Sequence, residues 1–310
     1  MPQYVKQHYV PRFYLKNFLS PASNNIYCFD KLSGKSFAAN IGNIAHENLF
    51  YGFSDLRDEV EQGLARVEQK FFVNAYNELL KLKNYRKLSH NSKGWLCVFL
   101  AFQLMRSKDT RLRMKELREK AVMEMAKNEL AREKGIQIPD GLSMRFTDSE
   151  YVKALHIDMM TRNGVEPFFE LGNYFGNKTW VVLRCDSPNL LWTSDNPLSF
   201  HNEYGDEGNL GIMCPGVEIR FPLSNNLLLF SYDPKTDPPH INKERMSEES
   251  VARANELQVA SSTRFIYSSN DDFDLARTYL TRYPKYKKPN RSRWKAVSAK
   301  NGEIDGIGLT

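Results

Sequence analysis

Residues 179–197 read TWVVLRCDSPNLLWTSDNP, and the fold class turns on them. Two apolar runs, 179–185 and 190–194, flank Asp186-Ser187-Pro188-Asn189, so the pattern predicts a β-hairpin. The second run ends in Ser194-Asp195-Asn196-Pro197. Asn196 precedes a proline and is pushed toward extended backbone, while Pro197 has no N–H to carry a ladder further. The strand therefore stops with an Asp and an Asn at its end. Such an end suits a functional site and suits a plain Asx-turn equally.

Beyond this stretch, 218–222 and 227–232 predict further antiparallel strands. The Gly- and Asn-rich segment 200–216 ahead of them reads as a long loop. A Pro-rich segment, 233–239, leads to a helix over 247–260 and a strand over 264–268. In the other direction the pattern turns helical. Residues 95–105 are apolar nearly all round, as a core helix is, with Ser89 or Ser92 opening it. Asp109 is placed to cap a charged helix over 110–134, and Asp148 or Ser149 to open another reaching about 172. A helix beginning near Ser54 carries Val60, Leu64, Val67, Phe71 and Ala75 at helical spacing. Near the start, 26–30 and 35–37 flank Leu32-Ser33-Gly34 as a hairpin.

The sequence thus predicts an α+β fold, with a helical block at about 54–172 inserted between an early hairpin and a later, mainly antiparallel sheet. Strands from both ends are expected to join one sheet, giving a single domain over 1–275 with sheet parts at about 26–37 and 179–268. No apolar run approaches the roughly 18 residues that cross a bilayer, and residues 1–19 lack the apolar core of a signal peptide. The expectation is a cytoplasmic protein with no membrane partner. Cys28, Cys97, Cys185 and Cys214 are widely spaced and have no CxxC or Cys/His pairing, so reduced, mostly buried thiols are expected.

The formal charge of +6 is unevenly distributed. Positions 277 to 300 hold nine basic residues and no acidic one; subtracting those nine from 43 leaves 34 Lys+Arg against 37 Asp+Glu. Residues 276–310 read as a basic tail in which Arg282, Lys287, Lys288, Arg291 and Arg293 alternate with Tyr279, Tyr283, Tyr286 and Trp294. Cations that meet phosphates and rings that stack on unpaired bases nominate nucleic acid as partner. A solvated tail, or one docked on the acidic body, is the plain alternative.

His8-Tyr9-Val10-Pro11-Arg12-Phe13-Tyr14-Leu15-Lys16-Asn17-Phe18, the Cys28-Phe29-Asp30-Lys31 strand end, Gln103-x-x-Arg106, Ser194-Asp195-Asn196-Pro197 and Phe221-Pro222-Leu223 occur in this order. In this the chain resembles a bacterial family of unknown function typed by an opening HxVPxFYLxxF motif and an internal SDNP motif. The resemblance runs over roughly 7–270 and brings no activity with it. It implies only that His8, Pro11, Arg12, Gln103, Arg106, Asp195 and Asn196 are the positions to suspect.

Physically, His8 can act as a general acid or base, or can hydrogen-bond a carbonyl and pack. Asp195 can orient His8, hold a metal or act as a base, and Asn196 can donate to developing negative charge. Arg106 and Arg12 suit a phosphate clamp or, as readily, a salt bridge to Glu61 or Glu68. Gln103, on an apolar helix, must belong to some polar network. His46, Glu47, Glu61, Glu68 and Asp195 reproduce no recognised ligand spacing, so the need for a divalent metal stays open. No GxxxxGK[ST], GxGxxG or GxSxG occurs, which disfavours P-loop, Rossmann and nucleophile-elbow chemistry. The first expectation is hydrolysis of phosphodiester bonds in nucleic acid. His8, Gln103, Arg106, Asp195 and Asn196 would form the catalytic set, with Arg12 and the tail binding substrate. The alternative is a binding or sensor module for a small anionic ligand or a protein partner, with bacterial defence as one context.

Overall fold

Residues 179–184 do form a strand, but its partner is not the apolar run that follows. The computed structural model describes residues 6–51, 57–82, 87–139, 142–143, 145–186, 190–202, 211–236, 245–289, 294–295 and 308–309. The first part of the chain gives β1 (Lys6–His8), α1 (Arg12–Leu15), β2 (Ile26–Asp30), β3 (Ser36–Ala39) and β4 (His46–Asn48). The helical block holds α2 (Arg57–Val67), α3 (Val73–Lys81), α4 (His90–Met105), α5 (Lys108–Lys134), α6 (Ser149–Thr161) and α7 (Glu166–Gly176), with a π-helical turn, Glu68–Phe72, joining α2 to α3. Then come β5 (Thr179–Arg184), β6 (Thr193–Ser194), β7 (Ser199–Asn202), β8 (Val217–Ser224), β9 (Leu227–Tyr232), α8 (Glu248–Ser261), β10 (Phe265–Ser268), α9 (Asp274–Arg282), β11 (Trp294–Lys295) and β12 (Gly308–Leu309). The architecture is α+β, and every strand pairing within the sheets is antiparallel.

The expected hairpin over 179–194 is overturned. β5 pairs with β9, Thr179 opposite Tyr232 and Arg184 opposite Leu227, in a sheet ordered β5-β9-β8-β7. β6 pairs instead with β10, in a sheet ordered β3-β2-β10-β6. The cause is the length of ladder on offer. β9 presents a six-residue match to β5, whereas the second run has only Thr193 and Ser194 in ladder before Pro197. Helix α8 captures the rest of that run: Trp192 N–H donates to Asn255 Oδ1 at 2.9 Å, and Asn255 Nδ2 donates to the Leu190 carbonyl at 3.0 Å. The pairing of β2 with β10 does bring strands from opposite ends of the chain into one sheet.

Ser89, Asp148 and Ser247 cap α4, α6 and α8, each side chain accepting a backbone N–H of the first turn. The cap of α5 is Ser107 rather than Asp109, whose carboxylate meets Arg113 one turn on. The helix expected over 148–172 divides into α6 and α7, because Gly164 takes a left-handed φ of 60° and Pro167 opens a new first turn. The start expected at Ser54 lies outside the described residues. The boundary expected at 276 falls inside α9, which continues into a short 3-10 turn, Pro284–Lys287. Ala276 and Leu280 of α9 are buried against Phe29, Trp192, Val259, Ile266 and Phe273, so this part of the expected tail docks on the body. Arg291 and Arg293 lie outside the described residues, and Trp294 pairs with Leu309 in β11–β12.

The largest core cluster joins the opening segment, the helices and the β5-β9-β8-β7 sheet. Tyr14 of α1 stacks on Phe221 of β8 at 4.9 Å and donates to the Pro222 carbonyl at 2.8 Å. Phe99 of α4 meets the edge of the same Phe221 ring, and the Tyr76 hydroxyl of α3 donates to the Leu223 carbonyl. α4 is the central helix, with Leu96 through Gln103 buried, as its unbroken apolar run required. α7 lies close against it. A Cβ added at Gly172 would sit 3.4 Å from the Cys97 carbonyl carbon and the Val98 nitrogen, already in contact with the backbone of α4.

Candidate functional site

Strand β1 places His8 opposite His46 of β4, with Gln7 opposite Glu47. Alternation turns Gln7 and Tyr9 into the body and His8 to the other face. Gln7 is fully buried, and its Oε1 accepts the Tyr51 N–H at 2.5 Å. The Tyr51 hydroxyl in turn accepts from Arg106 Nε at 3.0 Å.

Gln103 and Arg106, three apart at the end of α4, are neighbours as the spacing required. Both reach the backbone of β1. Gln103 Nε2 donates to the Tyr9 carbonyl at 3.0 Å, and Arg106 Nη2 donates to the His8 carbonyl. Arg106 Nη1 pairs with Glu68, which the π turn between α2 and α3 presents. Burial works against the guanidinium charge, but Tyr51 and Glu68 outweigh it and hold the group above the usual arginine range. Of the two readings the sequence left open, the salt bridge describes Arg106. Its three nitrogens fasten β1, Tyr51 and Glu68 together.

His8 itself is half-buried, its ring 5.3 Å from that of His46. Burial lowers its pKa to about 4, helped by His46, Arg12 and Arg106, while a bond to the Ile41 backbone pulls the other way. The imidazole is therefore neutral at pH 7. His8 Nε2 and His46 Nδ1 are both buried without a hydrogen-bond partner, and burial also lowers the His46 pKa, with Lys6 acting in the same sense and Glu47 opposing. Arg12, on the first turn of α1, is exposed.

Asp195 is spent elsewhere. Its carboxylate accepts three successive backbone N–H groups, from Thr263 and Arg264 at 2.7 Å each and from Phe265 at 2.9 Å. Burial pushes its carboxyl up, against the pull of those amides and of Lys31. Asn196 Nδ2 donates to the Ser261 carbonyl at 3.1 Å. Ser194 Oγ donates to Gln258 Oε1 at 2.8 Å, and Gln258 Nε2 donates to the Pro197 carbonyl at 2.8 Å. Lys31, also buried, caps the end of α8 through the Val259 and Ser262 carbonyls at 2.9 and 2.6 Å, the favourable place for a cation. The SDNP segment thus ties the end of α8 and the start of β10 to β6. The expected role of Asp195 in orienting His8 is replaced by this buckle, and the Asn196 amide is engaged in it.

The structure therefore divides the expected constellation in two. His8, Arg12, Gln103 and Arg106 gather around β1; Asp195 and Asn196 gather at the α8–β10 junction. Tyr9 stands between them, its hydroxyl pushed up first by burial and then by Asp195 and Glu47, while Arg264 acts in the opposite sense. Among the described residues, those weighed as metal ligands do not assemble. Glu47 pairs with Lys108, Glu68 with Arg106 and Asp195 with amides; the Glu61 side chain lies outside the described residues. Among the described residues no three His, Cys, Asp or Glu side chains form a set that could hold a metal ion.

Sequence reasoning missed Gln7, Lys31, Asn255 and Gln258. The last two stand three apart on a buried face of α8, the same signal that singled out Gln103 and Arg106. Lys31 stands in the Cys28-Phe29-Asp30-Lys31 motif but was not singled out, since a lysine beside a turn reads as solvated. Arg111 was missed as well: it donates from Nε to His156 Nδ1 at 3.2 Å and from Nη2 to the Phe50 carbonyl at 2.7 Å.

An α+β body whose suspected polar residues mostly fasten its own backbone defines a class by architecture, not by reaction. Comparison with known families agrees. The model for "Protein of unknown function (DUF4238)" matches residues 6–272, and the protein belongs to that family. The match takes in β1 through β10 and stops two residues short of α9. No curated protein and no solved structure matches the chain. Among the described residues no helix is long and apolar enough to cross a membrane.

Proposed function

We propose that the protein binds a phosphate-bearing anionic ligand at the edge formed by His8, His46 and Arg12, as a binding or sensor module. One observation carries this reading: the titratable groups that bear on the His8 ring are His46, Arg12 and Arg106, all disfavouring its protonation, and Nε2 lacks a partner. A phosphate oxygen beside the ring supplies both the missing partner and the missing negative charge. Arg12 is exposed and on hand for a second contact, while Arg106 contributes charge alone because its nitrogens are occupied.

A second reading, hydrolysis of a phosphodiester bond in nucleic acid, is favoured by the neutral state of His8 at pH 7. A neutral imidazole accepts the proton of the attacking hydroxyl or water and, once protonated, returns it to the leaving oxygen. On this reading Gln103, Arg106 and Asp195 position backbone and do not touch substrate.

The test is a histidine-ring NMR titration of the whole chain with inorganic phosphate and with a dinucleotide. Binding raises the His8 pKa from about 4 toward its ordinary value, because an adjacent anion favours the charged ring, and Arg12→Ala weakens the effect. Unmoved His8 and His46 resonances at saturating ligand would sink the binding reading. Cleavage of labelled RNA or DNA, with and without divalent ions and lost in His8→Ala, selects the second reading; binding without cleavage selects the first.

A further inference from the structure

We propose that α9 and the turn after it form a platform for single-stranded nucleic acid, with a base stacking on Tyr283 and phosphates meeting Arg282, Lys285, Lys287 and Lys288. The spacing of Tyr279, Tyr283 and Tyr286 brings three rings together, with centroid separations of 4.9, 5.7 and 6.4 Å. Tyr279 and Tyr286 are half-buried against the small core under α9, while Tyr283 is 37% exposed. Two rings thus fix the third at the surface, so little conformational entropy is lost when a base lands on it. The Arg282 guanidinium lies over the Tyr283 ring, 5.3 Å from its centroid, and Lys285 lies over Tyr286 at 5.2 Å. A planar guanidinium over one face of a ring leaves the other face to a base, offers a flat surface of its own and brings a cation within reach of the next phosphate.

The charge is one-sided. Positions 277–289 carry Arg277, Arg282, Lys285, Lys287 and Lys288, all exposed, and no acidic residue. The neighbouring carboxylates are engaged at the margin, Asp274 with Arg277 and Glu256 with Arg253. A lipid surface is the poorer match, because the apolar face of α9, Ala276 and Leu280, is already turned into the body and cannot enter a bilayer. Duplex is poorer too, since a paired base offers no free face to Tyr283. The platform lies beyond the family match and stands independently of the His8 edge.

The experiment is fluorescence anisotropy of the full chain with labelled oligo-dT and oligo-U, across a salt series, against duplex of equal length and against phosphatidylglycerol/phosphatidylcholine vesicles. Single strands bind tightest, with affinity falling as salt rises. Tyr283→Ala weakens binding roughly 5- to 150-fold, the range for loss of one stacked base, while Tyr283→Phe retains it. Lys285→Glu with Lys287→Glu and Lys288→Glu weakens binding and flattens the salt dependence. Tyr283→Ala leaves the response of the His8 ring to inorganic phosphate intact, which separates this platform from the anion edge. Tyr283 lies at the surface, outside the small core under α9, so its replacement leaves the protein folded, and a melting curve of each variant checks that the comparison is made on folded protein. Absence of binding, an unaffected Tyr283→Ala, or equal affinity for duplex or vesicles overturns the proposal.

Discussion

Replacing Asp195 separates a structural buckle from a catalytic acid. In Asp195→Ala the N–H groups of Thr263, Arg264 and Phe265 lose their common acceptor. The Thr263 residue is buried, so its orphaned amide costs about 1–3 kcal/mol; the other two, partly open to solvent, cost about 0.5–1.5 kcal/mol each. Removing the carboxylate also relieves the burial that pushes its pKa up, and this offsets part of the loss. The net expectation is a destabilisation of about 2–4 kcal/mol. For a chain of this size that is a fall in Tm of roughly 4–8 °C. Asp195→Asn keeps one acceptor oxygen and falls between wild type and Asp195→Ala. The assay is thermal unfolding followed by circular dichroism, with His8→Ala run alongside. His8 spends no side-chain bond on holding α8 to β10, so its variant melts close to wild type. An Asp195→Ala protein that melts within about 1 °C of wild type refutes the reasoning, because three short bonds to consecutive amides would then contribute nothing.

Two further outcomes follow from the same geometry. Arg106→Lys keeps the charge but cannot serve Tyr51, Glu68 and the His8 carbonyl together, so urea unfolding detects a loss of about 1–3 kcal/mol; an unchanged midpoint shows that the guanidinium fork is dispensable. His156 is fully buried, accepts from Arg111 and has its pKa lowered by burial to about 3. A folded-state value below the ordinary 6.5 means the unfolded chain binds the proton first. Stability is therefore flat above pH ~6.5 and falls as pH drops from there toward 3, by on the order of 4 kcal/mol in all. His8 adds to the fall in the same direction. Urea midpoints measured against pH check this, and His156→Gln should remove much of the slope; an equal slope in that variant counts against the assignment.

The reach of the sequence is clearest where local chemistry decides. Ser89 and Asp148, each one of two starts that the sequence offered, announced their helices because a side-chain acceptor at a helix start needs only the next three amides. The buried face of α4 followed from an unbroken apolar run, and the expectation of a family of unknown function agrees with the match over residues 6–272. Gln103 and Arg106 were rightly singled out as neighbours with unusual surroundings. Their purpose was not legible, since a donor that grips phosphate and a donor that grips a strand carbonyl are the same residue until the strand is placed. The hairpin expectation failed for a related reason. Two apolar runs beside a Pro-Asn turn are locally sufficient for pairing, yet β9 offered a longer ladder from over 40 residues away.

By itself, then, the sequence determined the α+β mixture, the starts of α4, α6 and α8, the one-sided charge of the C-terminal segment and the list of polar residues that must find partners. The tertiary structure alone decided which partners those were. It gave Asp195 to three amides, Arg106 to the backbone of β1 and Tyr283 to the surface, and it left two imidazole nitrogens on facing strands unpaired. The physical reason is that a buried polar group must be satisfied by whatever long-range packing brings within about 3 Å, and no spacing along the chain records which group that will be.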